Sequence, residues 1–164
     1  NYPPNHIEAD NRLSWFLGKL DHHYGNNAIY VHLKRDINNT AKSFVKRYDG
    51  GIIGAYRKNI LINLESNADP FSVALDYCNT VNSNIEHFLK DKSYKIDFSL
   101  ENAKEDFQVF YNLIGAEGDF EAALLEFEST YNSQEEIEEI NKNKFHKICK
   151  KLSKLGQLPK KILK

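Results

Sequence analysis

The chain is predicted to be an α/β protein: a central parallel sheet flanked by helices, with a helix-rich C-terminal half. Three observations carry this expectation. The run "AIYVHL", residues 28–33, is rich in β-formers and apolar on both faces, as a parallel strand covered on both sides would be. The run "SYKIDFSL", residues 93–100, alternates Tyr94, Ile96, Phe98 and Leu100 against Lys95, Asp97 and Ser99, a period of two. Helical patterns fill the sequence between them, and strand, crossover helices and strand in that order make a βαβ unit.

Each element has its own signals. In "ADNRLSWFLGKLDHHYG", Leu13, Phe16, Leu17 and Leu20 recur at helical spacing, with Asp10 as N-cap and Gly25 as stop. Asp36 can cap a helix reaching about Tyr48, which would bury Ile37, Ala41, Phe44 and Val45. Gly50-Gly51 then punctuates before a short helical stretch, 52–61. Asp69 followed by Pro70 opens the best helix of the chain, whose apolar face carries Phe71, Ala74, Leu75, Cys78, Val81, Ile85 and Leu89. After the second strand, "EDFQVFYNLIGAEGDFEAALLEF" predicts two more helices, separated at Gly115 and Gly118. From residue 132 the acidic residues Glu135, Glu136, Glu138 and Glu139 precede a lysine-rich end. Acid first and base last matches the macrodipole of one solvated helix, so 1–131 is read as the α/β domain and 132–164 as a charged helical extension.

Composition narrows the function classes. With 164 residues, 41% of them hydrophobic, the chain can bury one ordinary core. A net charge of −1 argues against a protein that coats nucleic acid. No apolar run approaches the roughly 20 residues of a membrane-spanning helix, and no secretory pattern opens the chain. Cys78 and Cys149 have no CxxC partner, which suggests a reducing, cytoplasmic setting and two structural thiols. His22 and His23 are sequence neighbours that point in different directions, and His32 alternates with Val31 and Leu33 inside a strand. No metal site is therefore expected.

The chemistry concentrates where the first strand ends. In open α/β sheets ligands bind at the carboxyl ends of the strands, where the next helix offers free N–H groups and a positive dipole end to anions. Arg35 stands at that point. Its guanidinium fork and the hydroxyl of Ser43, on the following helix, could bracket a phosphate through charge-assisted hydrogen bonds. A local pair between Arg35 and Asp36 is the competing expectation.

The segment "AIYVHLKRDINNTAKSFVKRY" resembles the 3′-phosphate-binding segment of the sulfotransferases that use 3′-phosphoadenosine 5′-phosphosulfate (PAPS). In that family a strand ends in Arg, and a Ser lies eight residues further on, the spacing of Arg35 and Ser43. "HIEADNRLSWFLGKLDHHYGN" is similar to the acidic motif and helix that precede this strand in bacterial members. "DPFSVALDYCNTVNSNIEHFLKDK" resembles the family's long helix, and "YKIDFSLENAKEDFQVFYNLIGAEGD" its strand-to-helix piece around a Tyr-Glu-Asp core. The resemblance spans residues 5 to about 130. It implies a three-layer P-loop-like fold, Arg35 and Ser43 on the donor's 3′-phosphate, and transfer of a sulfuryl group from PAPS to an acceptor hydroxyl, with a carbohydrate as the family-level guess.

The family's catalytic base lies upstream of the 3′-phosphate strand, which points to Glu8 and His6. Glu8 is preferred for its "IEAD" context, and a local Glu8–Arg12 pair is the alternative. The sequence departs from the family in three places. A Gly-rich 5′-phosphosulfate loop has no counterpart, so the chain is expected to be a fragment lacking it. Leu100 stands where the Tyr of the Tyr-Glu-Asp core would fall, and no Arg-Lys-Gly-type loop appears near the C-terminus. A non-catalytic nucleotide- or partner-binding remnant of the fold is the second reading, and a helical interaction module built on the charged tail is the third.

Overall fold

The structure, a computed structural model, describes residues 2–129. The chain divides into two compact units, Asn1–Gly118 and Asp119–Lys164. Of the second unit, the described part is the helix α6, Phe120–Leu125, and a 3₁₀ turn, Glu126–Glu128. Asp119 caps α6 by accepting from the Ala122 N–H. The expected extension over 132–164 and Cys149 lie outside the described residues.

The first unit is mixed α/β and helix-rich, with one two-stranded parallel sheet. Strand β1, Tyr30–Lys34, pairs with β2, Lys95–Ser99. Between them run α2, Ile37–Val45; α3, Gly51–Ala55, continued by a π turn, Tyr56–Ile60; and α4, Pro70–Leu89. The βαβ unit read from the sequence is therefore present. Before it comes α1, Leu17–Tyr24, and after it α5, Ala103–Leu113.

The expected N-terminal helix is broken in two. A 3₁₀ segment, Asn11–Trp15, precedes α1, and the two meet at Phe16, whose φ of −118° and ψ of 17° are not helical. Asp10 is the N-cap as expected, accepting from the Arg12 N–H, while the Ser14 hydroxyl donates to the Asn11 carbonyl and competes there with α-helical bonding. Gly25, at φ +51°, ends α1 as expected.

The register decides which face each strand residue takes. Tyr30, His32 and Lys34 stand beside Lys95, Asp97 and Ser99 on one face, and Val31 and Leu33 beside Ile96 and Phe98 on the other. Helix α4 covers the first face: Phe88 meets the Tyr30 ring edge-on at 5.0 Å, and Asn82 reaches the buried His32. Helix α5 covers the β2 side of the second, where Phe110 lies against Phe98. Val31 and Leu33, at 40% and 61% exposed, correct the expectation of a strand covered on both sides: α5 stands over β2 and leaves β1 bare on that face.

The core sits among the crossover helices instead. Ala41, Ile53, Tyr56, Ala74, Tyr77 and Cys78 form one buried cluster, with Ile37, Phe44 and Val45 of α2 packed against it. Cys78 behaves as the structural thiol its pattern suggested, and burial pushes its pKa up to about 11. Among the described residues no helix is long and apolar enough to cross a membrane.

Candidate functional site

Parallel pairing brings the carboxyl ends of β1 and β2 to one edge, and with them the starts of α2 and of the helical segment after β2. Arg35 and Asp36 leave β1 here. The Asp36 carboxylate caps α2, accepting from the Asn39 N–H at 2.8 Å, and Thr40 returns a hydroxyl bond to the Asp36 carbonyl. The carboxylate is thus spent on the helix rather than on its neighbour. Arg35 is exposed and makes no hydrogen bond or ion pair among the described residues, so the local Arg35–Asp36 pair does not form.

The end of β2 contributes Glu101, a residue to which the sequence reading gave no role in the site. Its carboxylate accepts the Asp36 N–H at 2.8 Å and the Ser99 hydroxyl at 2.6 Å. The Ser99 hydroxyl, then the Asp36 N–H and, more weakly, the charge of Arg35 hold Glu101 below the usual carboxylate range. Asp106 secures the same turn from α5 by accepting the Ser99 N–H at 2.7 Å. A short Ser-x-Glu pattern after a strand was the available signal for this turn.

Ser43 lies on α2, six residues beyond Ile37 and so about 9 Å along the helix axis. It does not touch Arg35. Its oxygen accepts from Arg47 Nη2 at 3.2 Å, an i,i+4 pair that leaves the hydroxyl proton free to donate. Arg47 was legible as a helix neighbour of Ser43 but was not singled out.

His6 and Glu8 come together upstream of the 3₁₀ segment. Their side chains meet at 3.2 Å, Nε2 to Oε2, and His6 stacks on Tyr2 with ring centroids 4.9 Å apart. The alternative Glu8–Arg12 pair is not formed: Arg12 is held by Asp10 through both carboxylate oxygens, which draws the Asp10 pKa down to about 2. His32 is 3% exposed and packs in the sheet as expected. Its Nε2 lies 3.4 Å from the Asn82 amide oxygen, and burial lowers its pKa. No cluster of three or more His, Cys, Asp or Glu able to hold a metal occurs among the described residues.

The edge thus combines an unpaired guanidinium with a hydrogen-bonded carboxylate, and Ser43 offers a hydroxyl proton further along α2. Such an arrangement can hold an anion at Arg35 and orient a hydroxyl-bearing group through Glu101. No family model, curated protein or solved structure matches the chain.

Proposed function

We propose that this chain provides the 3′-phosphate-binding part of a PAPS-dependent sulfotransferase, within a three-layer P-loop-like fold. The observation that carries the reading is Arg35: an exposed arginine, without an ion-pair partner among the described residues, at the carboxyl end of a parallel strand. A cation left unpaired at that edge, where α/β folds bind ligands, suits a phosphate. Ser43 supports it from α2, because Arg47 occupies the oxygen and leaves the O–H to donate. Glu101 opposes an anion here unless it turns toward the ribose hydroxyl, which a carboxylate can accept.

PAPS supplies an activated sulfuryl group. When the acceptor oxygen bonds to sulfur, the bond from sulfur to the phosphate oxygen breaks, the acceptor loses its proton, and 3′-phosphoadenosine 5′-phosphate (PAP) is released. The chain's part is to position the donor and take that proton. Glu8 is the base in this reading, and His6, 3.2 Å away, orients it and can share the proton. The acceptor is a hydroxyl, with carbohydrate as the favoured class.

Calorimetric titration with PAP and with AMP tests the reading. PAP should bind more tightly than AMP, and Arg35→Ala should weaken PAP by at least about tenfold while leaving AMP unchanged, since a hydrogen bond to a charged group contributes about 1.5–3 kcal/mol. Ser43→Ala should cost less. Equal loss for both nucleotides, or no preference for PAP, would overturn the assignment.

A further inference from the structure

We infer that a second site, on the far side of α2 from Arg35 along the chain, binds a sugar acid. A cavity of about 360 Å³ opens between the π turn and the loop that follows it, within the size range of small-molecule sites. Its walls combine two cations, Arg57 and Lys58, with the polar side chains of Asn63, Glu65 and Ser66.

The cations are fixed in advance. Gly54 is the reason: a Cβ there would come within 2.8 Å of the Asp49 carbonyl oxygen, so only glycine lets α3 pack this closely on the Asp49 turn. Asp49 then holds both cations. Its carboxylate accepts from Arg57 Nη2 at 2.6 Å and its carbonyl from Lys58 Nζ at 3.4 Å. The Arg57 guanidinium also lies over the Tyr48 ring, 4.1 Å from the centroid. Held from two sides, the guanidinium is fixed in place, with its Nε buried and without a hydrogen-bond partner. That N–H is shut away from solvent, so the ligand is met by Lys58, which is exposed and held, among the described residues, only by its 3.4 Å contact with the Asp49 carbonyl, leaving ammonium donors for a ligand carboxylate.

The rest of the wall selects what the carboxylate is attached to. Glu65 repels a bare polyanion but accepts from hydroxyls, while the Asn63 amide and the Ser66 hydroxyl both donate and accept, as vicinal diols require. One negative group beside several hydroxyls describes a sugar acid. The site is independent of the nucleotide reading, sharing no residue with it.

NMR titration of the full chain with D-glucuronate, with D-glucose and acetate as separate controls, tests this. Glucuronate should produce saturable shifts at Tyr48 and Ser66 that neither control reproduces at equal concentration. Lys58→Met, at an exposed position that can be changed without unfolding the chain, should weaken binding by at least about tenfold, equivalent to about 1.4 kcal/mol. Arg57→Gln should do the same if it folds. Absence of saturation, equal shifts from acetate or glucose, or undiminished glucuronate binding by Lys58→Met would each overturn the proposal.

Discussion

The crossover helices and the sheet they connect are built to different standards. Around Tyr77 the helices pack as a conventional core: its ring meets Phe44 edge-on at 5.0 Å and Tyr56 at 5.1 Å, and it is 3% exposed. The Tyr56 hydroxyl, carried into this cluster, donates to Asp76 at 2.7 Å and so is not left unsatisfied. The sheet has two strands, and on one face only β2 is covered, with Leu33 61% exposed. Two strands alone are marginal in water. Stability in the first unit therefore rests on α2, α3 and α4, and the strand ends are displayed by that scaffold.

The sharpest way to break this contrast is to empty the helical core. Tyr77→Ala removes the central ring of the cluster and should cost about 3–5 kcal/mol, the range for losing a buried aromatic side chain. Urea denaturation should show the midpoint falling with the slope little changed. A cost below about 1 kcal/mol would mean that the sheet, not the helices, holds the unit together.

A smaller effect is expected at the junction of the two regions. Asp36 caps α2, as Asp69 caps α4 by accepting from the Ser72 N–H at 3.0 Å. Asp36→Ala and Asp69→Ala should each cost about 0.5–2 kcal/mol. Only Asp36→Ala should also alter PAP binding, because Arg35 leaves β1 immediately before that cap. Equal PAP affinity in the two variants would separate the cap from the site.

His32 ties the strand to α4 and gives the comparison a pH dependence. Burial lowers its pKa from 6.5, opposed in part by Asn82, Asp97 and Glu86 and assisted by the charge of Lys34. As pH falls through about 6.5, the imidazole of the unfolded chain takes up a proton that the folded protein resists. Stability from this group is thus full above that pH and declines below it until the folded form also titrates. Urea midpoints at pH 7.5 and 5.0 should differ more in the wild type than in His32→Gln. An identical difference in both would remove His32 from the account.

What the sequence made legible follows the same division. Helix α4 could be bounded because Asp69 and Pro70 are local signals, and 20 residues of periodicity leave little choice of face. The strands could be found and paired, and Arg35 and Ser43 located, for similar reasons. The bare face of β1 could not be foreseen, since an apolar run looks the same whether or not a helix stands over it. The π turn was hidden inside an ordinary helical pattern over 52–61, and with it the Arg57 cavity, whose walls come from the turn and the loop after it. Glu101 escaped notice because its role at Asp36 spans 65 residues of sequence.

The smallest expected effect is also the most direct test of the sheet's exposure. Leu33 points away from α4 on the uncovered side of β1, so Leu33→Thr removes little buried surface and introduces a β-branched side chain suited to a strand. Its stability should stay within about 0.5 kcal/mol of wild type, as for other surface substitutions. Val31 beside it, 40% exposed, should tolerate Thr nearly as well. Phe98 pairs with Leu33 in register but is 6% exposed beneath α5, and Phe98→Ala should cost several times more, about 3–5 kcal/mol. If Leu33→Thr proved as costly as Phe98→Ala in urea denaturation, the face of β1 would be covered in solution, and the distinction between a packed helical core and an open strand would fall.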